Sequence, residues 1–193
     1  QITREELDAW RNLSYADLAY EVLAKFATDI PADDLKAIVH KTYTAEVYHN
    51  ARPGSDITQI TPLRTLTPGL HILELSNGPT LAFKDVALQL VGRMFDHVLG
   101  LRGRRVTIVG ATSGDTGSAA IDGVAGCAHV DIVILYPLGR ASDVQRRQMT
   151  TVDAPNIHNL AVDGTYDDCQ DLVKAAFTAP QLAGRHLSAV NSI

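Results

Sequence analysis

The spacing of apolar residues changes about a third of the way along the chain. Up to residue 43 they recur at helical intervals. Thr3 and Glu6 fit a capping box ahead of an amphipathic stretch with Leu7 and Trp10. Ser14 to Asp17 opens a second helix carrying Leu18, Val22, Leu23 and Phe26. Pro31 suits a first helical position, and Leu35, Ile38, Val39 and Tyr43 behind it mark one face. Residues 50–69, with Pro53, Gly54, Pro62, Pro68 and Gly69, read as a loop-rich connector.

From residue 70 on, short apolar runs alternate with helical patterns. Strands are predicted at 70–75, 105–110, 130–136 and 157–162, and helices at 84–100, 116–126, 142–151 and 166–179. The strands are nearly continuous apolar runs, as in strands buried on both faces. Repeated strand–helix units predict a parallel sheet wrapped by helices. The fold class expected is therefore α/β, with a helical region and connector over residues 1–69 and βα units over 70–193. The final LSAVNSI reads as a buried strand entering a turn, a place where domains rarely end, so a truncated domain is expected.

Composition narrows the function classes. With 46% hydrophobic and 20% charged residues, 193 residues can bury a core without disulfide or metal staples. A net charge of -5 without a basic stripe argues against nucleic acid as a partner. No apolar run approaches the roughly 18 residues of a membrane span, so no membrane partner is expected. Cys127 and Cys169 are too far apart in sequence to suggest a disulfide framework or a zinc site, and they fit a reducing, cytoplasmic compartment. The chain begins at Gln1 rather than Met, so a leader could precede it. Seven scattered histidines form no ligand pair, and no metal site is predicted. Asp163, Asp167, Asp168 and Asp171 do not have the spacing of a calcium loop. Thr165 to Asp168 instead reads as a helix cap with an acidic first turn. Gln145, Arg146, Arg147 and Gln148 read as a solvated helix face rather than an anion site.

Two segments carry candidate chemistry. In the first, Gly78 and Pro79 form a turn, Thr80 can cap, and Lys84 falls in or just before the first turn of a helix bearing Val86, Leu90 and Met94. A cation is disfavoured there, because the helix N-terminus carries partial positive charge. A lysine nucleophile must be neutral to attack an aldehyde, and a positive field with desolvation by Phe83 and Val86 would favour that form. Asp85 next door could neutralise the charge, and on position alone a solvated lysine that starts a helix is the simpler reading.

In the second, the strand ending at Gly110 runs into Ala111-Thr112-Ser113-Gly114-Asp115-Thr116-Gly117-Ser118. A P-loop needs a lysine, a dinucleotide fingerprint needs a different glycine frame, and a hydrolase elbow needs Gly two residues before Ser. What remains is a turn rich in hydroxyls and N–H groups, suited to one small anion such as a carboxylate, or a tight turn whose Thr and Ser cap the next helix. Asp115 would repel a polyphosphate.

Together, GPTLAFKD and GATSGDTGSAA resemble the threonine synthases, members of the tryptophan-synthase-β-like (fold type II) group of pyridoxal-phosphate enzymes. The likeness extends through SDVQRRQMTT, NIHNLAVDGTYDDCQDLVKAAF and LSAVNSI, and covers residues 14–193. It implies conversion of O-phospho-L-homoserine and water to L-threonine and phosphate, by a monomer or a homodimer. It assigns Lys84 as the Schiff-base lysine for pyridoxal 5'-phosphate and as the proton shuttle at the substrate's α and β carbons. Thr112, Ser113, Gly114, Asp115 and Thr116 would match the loop that grips the substrate carboxylate. In many relatives of the wider group Asn stands where this chain has Asp115, touching the cofactor's phenolic oxygen. Ser76 and Asn77 depart from a Phe-His pair common in the family. The resemblance further implies a missing second half that cups the cofactor phosphate and pairs its ring nitrogen, so that this piece alone would be inactive. Serine or threonine dehydratases, and a non-catalytic homologue, are the alternative readings.

Overall fold

The structure is a computed structural model and describes residues 1–190. The chain divides into two compact units, one from Gln1 to Gly78 and one starting at Pro79.

The first unit holds helices α1 (Arg4–Ala9), α2 (Tyr15–Leu23) and α3 (Ala32–Thr42). The capping signals are made as predicted. Thr3 N–H donates to Glu6 Oε2 at 2.8 Å and Glu6 N–H to Thr3 Oγ1 at 3.2 Å, while Ser14 Oγ accepts from Asp17 N–H. Leu35, Val39, Tyr48 and Ile60 are fully buried, and Tyr15 meets Tyr43 edge-on at 5.1 Å. The segment at 70–75 departs from expectation. Rather than opening the parallel sheet, β2 (Leu70–Leu73) pairs antiparallel with β1 (Leu63–Thr67) in an exposed hairpin. Its apolar run looked like a buried strand. The two-residue turn of Pro68 and Gly69, with Gly69 at φ +82°, was the hairpin signal.

The second unit is the predicted α/β layer structure. It contains α4 (Asp85–Leu101), β3 (Val106–Ala111), α5 (Asp115–Val124), β4 (Val130–Pro137), α6 (Asp143–Thr150), β5 (Ile157–Val162), α7 (Tyr166–Thr178) and a short β6 (Leu187–Ser188). The four strands are parallel in the order β5-β4-β3-β6. Side chains alternate across the sheet. Ile108, Ile132, Ile134 and Tyr136 pack with Leu88, Ala119, Ile121, Val124 and Met149 from α4, α5 and α6. Val109 and Leu135, on the other face, meet Cys169 and Val173 of α7. Burial on both faces explains why the central strands β3 and β4 read as continuous apolar runs, while the edge strand β5 leaves Leu160 exposed. Thr165 closes a full capping box with Asp168 on α7, as its spacing suggested. Residues 191–193, the end of the expected final strand and turn, lie outside the described residues. Among the described residues no helix is long and apolar enough to cross a membrane.

Candidate active site

The strand order places the two candidate segments. β3, β4 and β5 build outward in one direction, and β6 returns to the other side of β3. The order therefore reverses at β3, and crevices at such switch points, beyond the carboxyl ends of the strands, are where open parallel sheets bind ligands. The glycine-rich turn leaves β3 at that point. A cavity of about 170 Å³ opens there on the α7 side, lined by Gly110, Ala111, Thr116, Tyr166, Gln170 and Val190 among others.

The turn is closed from within. Thr112, almost fully buried, accepts two hydrogen bonds at Oγ1, from Gly114 N–H at 3.0 Å and Gly117 N–H at 2.8 Å. Ser118 Oγ donates back to the Gly114 carbonyl at 2.6 Å. Gly114 adopts φ +151°, and a Cβ there would lie 2.5 Å from the Gln145 side chain, so a larger residue is excluded twice over. Ser113 is exposed at the tip, and Asp115 is the first residue of α5.

Lys84 occupies the N-cap position of α4 with its side chain only 12% exposed. Its Nζ donates to Asp115 Oδ2 at 2.6 Å and lies 5.1 Å from the centroid of the Phe83 ring. Asp115 Oδ1 accepts from Thr116 N–H at 2.9 Å. The hydrogen bond from Lys84 holds the Asp115 carboxyl below the ordinary carboxylate range, against a smaller opposing effect of burial.

The partner of Lys84 is thus Asp115, not the adjacent Asp85. Asp85 is fully buried and turns both oxygens to Thr80, accepting from its N–H at 2.9 Å and its hydroxyl at 2.7 Å. Thr80 therefore serves this carboxylate rather than capping α4, whose N-cap makes no side-chain hydrogen bond. Burial pushes the Asp85 carboxyl up, Thr80 partly offsets this, and the nearby Asp122 charge adds to it.

Helices α4 and α5 touch backbone to backbone near the C-terminal end of α5. A Cβ on Gly92 would sit 2.0 Å from the Gly123 carbonyl oxygen, and one on Gly123 would sit 2.4 Å from that of Leu88. At the other end of α5, Lys84 and Asp115, 31 residues apart, come face to face.

Gln145 and Gln148, read from sequence as solvated, face inward. Gln145 covers Gly114, and Gln148 Nε2 donates to the Thr80 carbonyl at 2.9 Å. The available signal was their helical spacing with Met149, which is fully buried on the same face of α6.

The departures at Ser76 and Asn77 fall in the first unit. Ser76 is exposed and Asn77 buried, with the Asn77 carbonyl accepting from Asn50 N–H at 3.1 Å. Among the described residues, no group of three or more His, Cys, Asp or Glu could hold a metal.

The family model for the threonine synthase N terminus matches residues 1–43. Threonine synthase of Pseudomonas aeruginosa is 51% identical over all of this chain and 40% of its own length. Among solved structures, PLP-bound threonine synthase from Brucella melitensis superposes with a TM-score of 0.88 at 47% identity, again over all of this chain and 40% of that one. Threonine synthase from yeast gives 0.86 at 43% identity, covering 100% of this chain and 39% of that one. With a parallel sheet whose reversal point carries the lysine–carboxylate pair, the chain is thus similar over its full length to threonine synthases, and it spans about 40% of the compared members.

Proposed function

We propose that the protein carrying this chain is a threonine synthase, a pyridoxal-phosphate-dependent lyase that converts O-phospho-L-homoserine and water to L-threonine and phosphate. The observation that supports this most is the Lys84 amine, nearly buried at a helix head and 2.6 Å from Asp115, beside the turn that leaves the sheet at its reversal point.

The residues present fit the cofactor. A primary amine in a mostly desolvated position can carry an aldehyde covalently, and the turn beside it presents the exposed Ser113 to an anion. When bound, pyridoxal phosphate supplies the electron sink for reaction at the substrate's α and β carbons. Lys84 would hold it through Nζ, and Asp115 would keep that amine in place beforehand. Attack on an aldehyde needs the neutral amine, so the Lys84–Asp115 pair must give up a proton before attachment. Released from the cofactor, Lys84 would move protons at the two carbons.

The substrate carboxylate would be gripped at the 112–116 turn. Thr112 shapes the turn through its two accepted hydrogen bonds, Gly114 allows the close approach, and Ser113 and Thr116 present polar groups at the head of α5.

The complete gene product, supplied with pyridoxal phosphate, should release phosphate from O-phospho-L-homoserine and form threonine. Ammonia release from L-serine without phosphate release from phosphohomoserine would move the assignment to a dehydratase.

A further inference from the structure

One face of α6 reaches both segments of the candidate site. Gln145 lies against Gly114, and the Met149 sulfur lies 2.9 Å from where a Cβ on Gly117 would stand. Between these two residues, Gln148 reaches across to the lysine loop and donates to the Thr80 carbonyl at 2.9 Å.

Thr80 is thereby held at all three of its polar atoms. Its N–H and hydroxyl go to the two oxygens of Asp85, and its carbonyl to Gln148. The residues between Thr80 and Asp85 include Leu81 at φ +64°, a conformation that a bulky L residue keeps only where its surroundings enforce it. Lys84 leaves this loop at the N-cap of α4, with no side-chain capping bond to fix it. Holding a long, flexible lysine side chain in one place costs conformational entropy, and a loop that fixes its Cα leaves fewer degrees of freedom to order for the 2.6 Å contact with Asp115. The ends of that loop are fixed by Asp85 from within α4 and by Gln148 from α6, while the same face of α6 fixes the turn that bears Asp115.

We propose that Gln148, acting with Asp85 through Thr80, is a positioning residue that holds Lys84 on Asp115. The proposal rests on the reading of Lys84 as the reactive amine, but its test needs no cofactor. An amine held against a carboxylate by a short charge-assisted hydrogen bond is less available to an acylating reagent than a free one. Acetylation of Lys84 by acetic anhydride at fixed pH, resolved by mass spectrometry, therefore reads the Lys84–Asp115 contact. Exposed Lys174, at 3.1 Å from Asp171, serves as the internal reference.

Gln148→Met keeps the length of the side chain and removes the donor. It should raise Lys84 acetylation about fivefold relative to Lys174, the factor that corresponds to one hydrogen bond of about 1 kcal/mol. Asp115→Asn should raise it at least as far. Adding Gln148→Met to Asp115→Asn should then raise it no further, since no contact is left for Gln148 to maintain. A purely structural role would loosen the region equally in both backgrounds. Unchanged acetylation in Gln148→Met, or the same increase with and without Asp115, would overturn the proposal. If Gln148→Met does not fold, Asp85→Asn must show the same non-additivity with Asp115→Asn, and its absence there overturns the proposal equally. If the coupling holds but cofactor fails to attach at Lys84, the functional reading falls and the positioning role stands.

Discussion

Lys84 could be singled out in the sequence by its motif, although its place at a helix head alone favoured a solvated lysine, and its partner could not be read. Asp85 is the next residue, and nearness in sequence suggested that it neutralises the lysine. Adjacent residues at a helix start point apart, so Asp85 turns into the core toward Thr80 while Lys84 reaches across to Asp115. The two carboxylates then have opposite pH signatures. The Asp115 carboxyl is held below 3.8 chiefly by Lys84, so its contribution to stability is present above that pH and is lost as pH falls through its lowered folded value. Asp85 is raised above 3.8 chiefly by burial, so its ionisation costs stability as pH rises through its raised folded value. Thermal melts across the acid range should show Asp115→Asn falling further behind the parent protein as pH rises past about 4. Over the same range the deficit of Asp85→Asn should narrow. Parallel pH trends for the two variants would contradict these assignments.

Among the elements, helices α1, α2 and α7 announced themselves through caps that the chain makes. The β1–β2 hairpin did not, because its first strand was absorbed into a proline- and glycine-rich stretch. The inward face of α6 was also hidden. A polar run with one methionine looks solvated until another segment's carbonyl is brought against it, and Thr80 lies 68 residues away in the chain. Nor could the α4–α5 contact be read, since Gly92 and Gly123 are unremarkable in sequence and matter only because the two backbones touch there. Gly123→Ala would place a methyl group 2.4 Å from the Leu88 carbonyl oxygen. Overpacking of this kind costs about 1–3 kcal/mol, and should lower the melting temperature. An unchanged melting temperature would show that the helices can part freely at this point.

At the scale of the molecule, the parallel sheet was readable from its continuous apolar strands, whereas the strand order was not. Nothing local in the sequence says that β6 returns beside β3 instead of extending beyond β5. That order creates the reversal at which the glycine-rich turn and Lys84 meet, so the motifs could be found before the reason for their meeting. The chain spans about 40% of the length of its compared relatives. The central claim is that Lys84 is the cofactor's covalent anchor. Its most direct test is to add pyridoxal phosphate to the complete gene product, reduce with borohydride, and map the modified peptide. The adduct should sit on Lys84 and disappear in Lys84→Ala. An adduct on another lysine, or one that survives Lys84→Ala at the parent level, would contradict it.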